Sequence, residues 1–530
     1  MSLLFTLLAT LFLNPVLYED FSDPDAIRVG NDYYMTASSF NYVPGLPILH
    51  SQDLQHWELI NHALPYRLPG SGDSLDINTA QHGNFVWAPS LRFHNGKYMI
   101  YYGDPDRGIF RVTTNDIRGH WDEPQLVIAG KGLIDPCPLF AKNGKVYLVH
   151  ALAGSRAHLK SVLMLTELNA DGSRAITPSR IIYDGHSDNV TCEGPKIHEF
   201  NGFFYIFFPA GGVPTGWQVV ARSKDIYGPY QTRVVMHQGS TKINGPHQGA
   251  WVDNGEGKHF FIHFQDVGPL GRITHIQNMI WTSEGWPVIG ERISNAQCGQ
   301  PQETAPKAND GKAEIKNSMK NSAMVFQPHN WSQWQWNYNV DMRSCFIIGD
   351  TLRLFSLFTP GENLWLSRTL FTRRISGNPL ASPFASYYFT LELNPDTRYS
   401  GERGGCVVFG KSYAGLVLTN DKGSVALQYI KCDNADKGSA EQKKTLIGSL
   451  VDRKIKVRVN IYDNPPVPGN TDRQVTAMFL YSTNGGITWQ QADSEPFKVR
   501  EGVWTGARIA LFCSRNDDTK NDGGYLNVYP

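Results

Sequence analysis

The chain has 530 residues, enough for two or three cores at roughly 100 to 200 residues per domain. Lys plus Arg and Asp plus Glu number 49 each, so the net charge is zero and only 18% of residues are charged, which excludes the clustered positive charge of a nucleic-acid or anionic-membrane surface. Aromatics at 12%, with 50 Gly and 31 Pro, predict many short strands joined by turns and few long helices.

The apolar run Ser2 to Leu13 is too short to span a bilayer, which takes roughly 20 residues. Residues 1–13 read as the remnant of a signal peptide, without the preceding Lys or Arg and without a following A-x-A site. The expectation is a secreted or periplasmic protein, and the alternative is a hydrophobic extension resting on the first domain. Seven cysteines are scattered over the chain with no CxxC pair, so neither a zinc site nor a disulfide framework is expected.

From residue 14 onward a turn followed by an aromatic or β-branched run recurs at Gly30-Asn31, Asn95-Gly96, Asn143-Gly144, Asn201-Gly202 and Gly255 to Gly257, 48 to 64 residues apart. Each is a hairpin signature, because Asn and Gly accept the positive φ of a tight primed turn. A second signature follows in several repeats: Ser51-Gln52-Asp53-Leu54 with Trp57, Thr114-Asn115-Asp116-Ile117 with Trp121, and Ser223-Lys224-Asp225-Ile226 with Tyr230. Units of this size repeated five times predict a five-bladed β-propeller over residues 14–299, with an insertion in the long first repeat between Pro65 and Gln81. The polar stretch 300–324 reads as a linker. Residues 325–530 alternate in the manner of strands, at 351–358, 405–410, 414–419, 425–430, 454–462, 474–481, 507–513 and 525–529, and predict a two-sheet β-sandwich. The fold class is all-β.

If the five turns are equivalent, the residues eight places before them occupy equivalent positions at the start of each innermost strand. These are Asp23, Trp87, Asp135, Glu193 and His247. Innermost strands face the channel, so the five side chains converge on its axis. Taken singly, each has a plainer reading. Asp23, Asp25 and Asp135 fit turn residues, Glu193 a solvated strand-end acid, His247 a hydrogen-bonded core histidine and Trp87 a core aromatic. Their shared register favours a site. Three acids gathered beside an aromatic wall raise at least one carboxyl pKa, which is what general acid chemistry at neutral pH needs. Hydrolysis of a glycosidic bond uses such an acid together with a second carboxylate.

These residues resemble glycoside hydrolase family 43. The resemblance rests on Asn14-Pro15-Val16-Leu17 leading to Ser22-Asp23-Pro24-Asp25, on Trp87-Ala88-Pro89, on Gly132-Leu133-Ile134-Asp135-Pro136 and on Glu193-Gly194-Pro195. It implies Asp23 as general base, Glu193 as general acid and Asp135 as modulator of the acid's pKa, with inversion of configuration. Trp87, His247, Arg272 and Phe40 are the substrate-binding set it implies. Trp334-Gln335-Trp336-Asn337 resembles the start of the concanavalin-like C-terminal domain of the family's β-xylosidases and α-L-arabinofuranosidases, a domain that can lend a loop to the site. Cys192 departs from the family pattern, where Ile or Thr is more usual. The expected substrates are xylo- or arabino-oligosaccharides, cleaved in exo fashion without a cofactor or catalytic metal. A structural calcium is left open, and so is a cation at His247. The rivals are an endo-acting arabinanase and a non-catalytic carbohydrate-binding protein.

Overall fold

The computed structural model describes residues 13–66, 68, 80–294, 297–308, 331–339, 344–367, 369–396, 400–464, 473–517 and 522–529. Five antiparallel meanders form the blades of a propeller. Blade 1 holds β1 (Asp25–Val29), β2 (Asp32–Thr36), β3 (Gly45–Ser51) and β4 (Glu58–Leu64), and blade 2 holds β5 (Trp87–His94), β6 (Lys97–Asp104), β7 (Gly108–Thr114) and β8 (Gln125–Ala129). Blade 3 follows with β9 (Leu133–Phe140), β10 (Val146–Leu152), β11 (Val162–Leu168) and β12 (Arg180–Asp184). Blade 4 holds β13 (Lys196–Phe200), β14 (Phe203–Ala210), β15 (Trp217–Ser223) and β16 (Gln231–Met236), and blade 5 holds β17 (His247–Asp253), β18 (His259–Asp266), β19 (Arg272–Trp281) and β20 (Pro287–Ile289).

The five predicted turns each join the first two strands of a blade. At Asn95-Gly96 and Asn201-Gly202 both residues have positive φ, as a primed turn requires. The second signature also folds alike in three blades. The hydroxyls of Ser51, Thr114 and Ser223 accept the N–H of Asp53, Asp116 and Asp225 at 3.1 to 3.2 Å, a local turn that short hydroxyl side chains favour.

The ring closes at blade 5. The segment after Leu13 runs beside β19, with mutual backbone bonds between Leu17 and Thr274, and the Asn14 amide donates to the carbonyls of Ile276 and Gln302. Two short strands, β21 (Glu291–Arg292) and β22 (Gly299–Gln300), extend blade 4, with Gly299 beside Met236. The beginning of the stretch read as a linker is therefore packed: Thr304 bridges Leu13, and Ala305 and Ala308 are buried. Its remainder lies outside the described residues, as do residues 1–12 of the apolar N-terminal run and most of the insertion between Pro65 and Gln81. Among the described residues no helix is long and apolar enough to cross a membrane.

The second domain is a sandwich of two eight-stranded sheets. One runs through 371–374, 508–515, 403–409, 413–421, 424–432 and 442–447, and the other through 345–348, 351–355, 525–529, 385–394, 454–464 and 474–482. Four of these strands, 345–348, 371–374, 385–394 and 442–447, are additional to those expected. Phe371–Arg374 reads FTRR and buries both arginines at the domain seam, and Gln442–Ile447 is an edge strand with four exposed polar residues, so neither shows the apolar alternation that marks a strand in sequence.

The two domains share one apolar cluster in which Val43, Leu270 and Ile273 of the propeller pack with Trp334, Trp336, Phe371 and Phe384 of the sandwich. Polar bonds cross the same seam. Val43 N–H donates to Trp336 O at 3.0 Å, the Gln335 amide to Pro44 O at 2.6 Å and Ala507 N–H to Pro269 O at 2.7 Å. The His82 ring lies 3.7 Å from that of Trp365, whose carbonyl it contacts at 2.8 Å. Exposing this surface would leave a large apolar patch facing water. A chain ending near residue 320 is therefore expected to be insoluble or inactive, as judged by sedimentation and turnover, and a soluble fragment of full activity would contradict the shared core.

Candidate active site

The five equivalent positions stand where the innermost strands begin, at one mouth of the channel. Trp87 and His247 open β5 and β17, Asp135 is the third residue of β9, and Asp23 and Glu193 lie two and three residues before β1 and β13. Register shifts mark β5, β9 and β17 at this end, and such bulges re-aim side chains. Asp23 and Asp135 have φ of 55° and 57°, a left-handed conformation that is strained for residues other than glycine and concentrates at functional sites.

Asp23 is buried and accepts two hydrogen bonds, from Arg272 Nη1 at 2.9 Å and from Ser38 Oγ at 2.5 Å. Ser38 is itself fixed, because its hydroxyl accepts Ala88 N–H at 2.7 Å. The Arg272 guanidinium lies over the Phe264 ring at 4.9 Å. Asp135 is buried and accepts Gly194 N–H at 2.7 Å, which ties it to the residue after Glu193. Glu193 Oε1 lies 3.5 Å from His247 Nε2, and the ring nitrogens of this buried histidine have no hydrogen-bond partner among the described residues.

Electrostatics divides the acids. Burial, and then repulsion by Asp135 and Asp23, pushes the Glu193 carboxyl well above the usual glutamate range, against the opposing pull of Arg272 and Lys160. Burial and the Asp23 charge also raise Asp135, while Gly194 N–H, Lys196 and Arg272 draw it down. The pair therefore holds a proton at pH values where ordinary carboxyls have lost theirs. His247 is held neutral, its pKa lowered to about 3 by burial and by Arg272. Cys192 is a buried thiol whose pKa is raised to about 12 by burial and then by the Glu193 charge, so the departure from the family pattern places an apolar neighbour beside the acid.

Phe40 meets Trp87 edge-on at 6.5 Å and is 3% exposed, so it backs the wall while Trp87 keeps open surface. Ser38 and Trp504 were not picked out from the sequence, and Asp25 was read there only as a turn residue. Ser38 belongs to the loop after β2. Trp504 comes from the sandwich, in the turn Gly502-Val503-Trp504-Thr505-Gly506, and its half-exposed ring stands 5.9 Å from that of Trp87. A tryptophan flanked by glycines between strands was the available signal for it. Asp25, the second acid of the Asp-Pro-Asp motif, serves the channel below. It accepts Leu91 N–H and Arg92 Nη1, both at 2.7 Å, and lies 3.7 Å from the buried ammonium of Lys196, which donates to Pro89 O and Ser90 Oγ. This buried cluster joins the inner strands of blades 1, 2 and 4.

A proton-bearing carboxyl pair and an arginine-bound carboxylate converging beside an aromatic wall are the equipment of a glycosidase. Residues 12–287 match the model of "Glycosyl hydrolases family 43", and residues 326–526 match the "Beta xylosidase C-terminal Concanavalin A-like domain". The chain belongs to glycosyl hydrolase family 43. A putative beta-xylosidase of Xylanibacter ruminicola is 35% identical over 93% of this chain and 85% of its own length. A non-reducing end alpha-L-arabinofuranosidase of Bacteroides ovatus is 29% identical over 53% of this chain and 54% of its own. Among solved structures, the xylan beta-1,4-xylosidase of Bacillus halodurans C-125 shares the fold, with a TM-score of 0.77 at 20% identity over 98% of this chain and all of that one.

The raised proton affinity of Glu193 has a consequence for stability. A carboxyl that binds its proton more tightly when folded loses stability as pH rises from its unfolded pKa through its folded one, and glutamine does not titrate. Glu193→Gln is expected to melt at a higher temperature than the parent at about pH 8 and at the same temperature at about pH 4. A difference independent of pH would contradict a buried, proton-bearing Glu193.

Proposed function

We propose that this glycosidase removes single pentose units, xylose or L-arabinofuranose, from the non-reducing ends or side chains of hemicellulose oligosaccharides, with inversion of configuration. The observation that carries the reading is the asymmetric trio of acids in a pocket walled by Trp87 and Trp504. The Glu193 carboxyl protonates the leaving glycosidic oxygen. Asp23, held by Arg272 and Ser38, takes the proton of the water that attacks the anomeric carbon from the opposite face. Asp135 fixes the Gly194 amide, and its charge keeps the proton on Glu193 until the leaving oxygen takes it. His247 and Arg272 offer polar contacts to sugar hydroxyls, and no step calls for a metal or cofactor.

The exo reading is supported by the Trp504 turn, which adds a second aromatic ring beside Trp87 and so walls the pocket, whereas an endo-acting arabinanase needs an open groove. The relatives named for xylose and for arabinose release support both pentoses. The apolar run Ser2 to Leu13 supports a secreted or periplasmic location.

Paired aryl β-D-xyloside and aryl α-L-arabinofuranoside assays, with the anomer of the first-formed sugar read by NMR, test this reading. Glu193→Gln is expected to lose about 10²- to 10⁴-fold on unactivated oligosaccharides and much less on substrates with good leaving groups, because an activated phenolate needs little protonation. Asp23→Asn is expected to suppress both. Equal losses for Glu193→Gln on both substrate types, or a product of retained configuration, would overturn the assigned roles.

A further inference from the structure

Asp20 is a buried carboxylate that takes no part in the steps above, and each of its oxygens is bonded to a different part of the active-site wall. Oδ1 accepts Arg272 N–H at 2.9 Å and Ser22 Oγ at 3.2 Å. Oδ2 accepts Gly506 N–H at 2.9 Å, across the domain seam. Arg272 holds the base Asp23, and Gly506 ends the turn that carries Trp504. One side chain therefore links the propeller's base to the sandwich's contribution to the pocket.

The surroundings leave this carboxylate little freedom. Gly271 has φ of +83°, and a Cβ there would lie 2.4 Å from Asp20 Cγ. A Cβ on Gly506 would lie 2.7 Å from Gly271 N, so the sandwich turn and the loop before β19 are in direct backbone contact. Ala507 N–H donates to Pro269 O beside them. Arg374 and Arg508 of the sandwich line the same small void as Asp20, together with Ser38, Phe40, Tyr42 and Thr505. Each is attracted by the Asp20 charge, and Arg508 also lies 3.8 Å over the Tyr42 ring.

We propose that Asp20 is a positioning residue that locks the Trp504 turn of the sandwich to Arg272, so that the pocket's outer wall and its general base move as one unit. The inference rests on the reading of the site given above. A carboxylate suits the task because it is acceptor-only and both bridged groups are N–H donors. An asparagine in its place turns a donor toward one of them and leaves that buried N–H unpaired. The released partner is either the wall or the arginine, and a displacement of about 1 Å at a reacting group costs on the order of 100-fold in rate.

The test is a double-mutant cycle in the full chain on an aryl β-D-xyloside and an aryl α-L-arabinofuranoside. Asp20→Asn is expected to lower kcat/KM on the order of 100-fold. Trp504→Ala should act mainly through KM, because the wall is a binding contact. The double variant should then be better than the product of the two single effects by at least about fivefold, because a loop already released has less to lose. Effects that multiply to within about twofold would overturn the proposal, as would an Asp20→Asn enzyme of parental kcat and KM. If Asp20→Asn does not fold, the cycle of Trp504→Ala with Arg272→Lys carries the same expectation and the same contrary result, because the proposed link, through the backbone N–H groups of Arg272 and Gly506, joins the segments that carry those two side chains. A parent enzyme that hydrolyses neither aryl pentoside would instead refute the reading of the site, so the two failures are distinct.

Discussion

Carboxylates drawn out of water onto one axis repel one another, and the propeller is built so that this repulsion falls on one of them. Asp23 receives an arginine and a hydroxyl, and Asp135 receives a backbone amide. Among the described residues, Glu193 receives only a neutral histidine at 3.5 Å and a buried thiol as its chain neighbour. The unequal supply of donors makes Glu193 the proton holder, and it follows from where each blade ends. Asp25, of the same Asp-Pro-Asp motif as Asp23, is neutralised by Arg92 and Lys196 in the channel below. Two acids two residues apart thus have opposite duties, one facing the pocket and one tying three blades together beneath it.

A propeller mouth alone is a shallow surface, and the sandwich changes that. Its strands 371–374 and 508–515 bring three buried arginines to the seam, and the turn after Arg500 places Trp504 beside Trp87. A wall that excludes water strengthens every charge interaction in the pocket, including those that set the proton affinity of Glu193. The contiguous apolar cluster across the two domains holds that wall in place. The second domain acts here as part of the active-site architecture.

Much of the site was legible because a propeller converts sequence period into spatial coincidence. An Asn-Gly turn fixes the far end of each inner hairpin, so a constant offset of eight residues finds the near end, and Asp23, Trp87, Asp135, Glu193 and His247 all lie at that mouth. What escaped was set by contacts with no period. Ser38 reaches Asp23 from the loop after β2, and Trp504 arrives from more than 400 residues along the chain. Phe40 was picked out for the pocket, and it stands behind Trp87. The same limit applies to the fold. Strand 371–374 buries arginines against the other domain, and residues 299–308 run along the propeller despite their polarity, since tertiary partners rather than local pattern decide both.

The account turns on whether the charge of Asp135 keeps the proton on Glu193, and the pH dependence of kcat/KM for the parent and Asp135→Asn measures it most directly. The basic limb reports loss of the acid's proton in the free enzyme. Asparagine can still accept Gly194 N–H but carries no charge, so Glu193 would release its proton more easily and the basic limb should move to lower pH. A basic limb that stays in place, or moves to higher pH, would contradict the account.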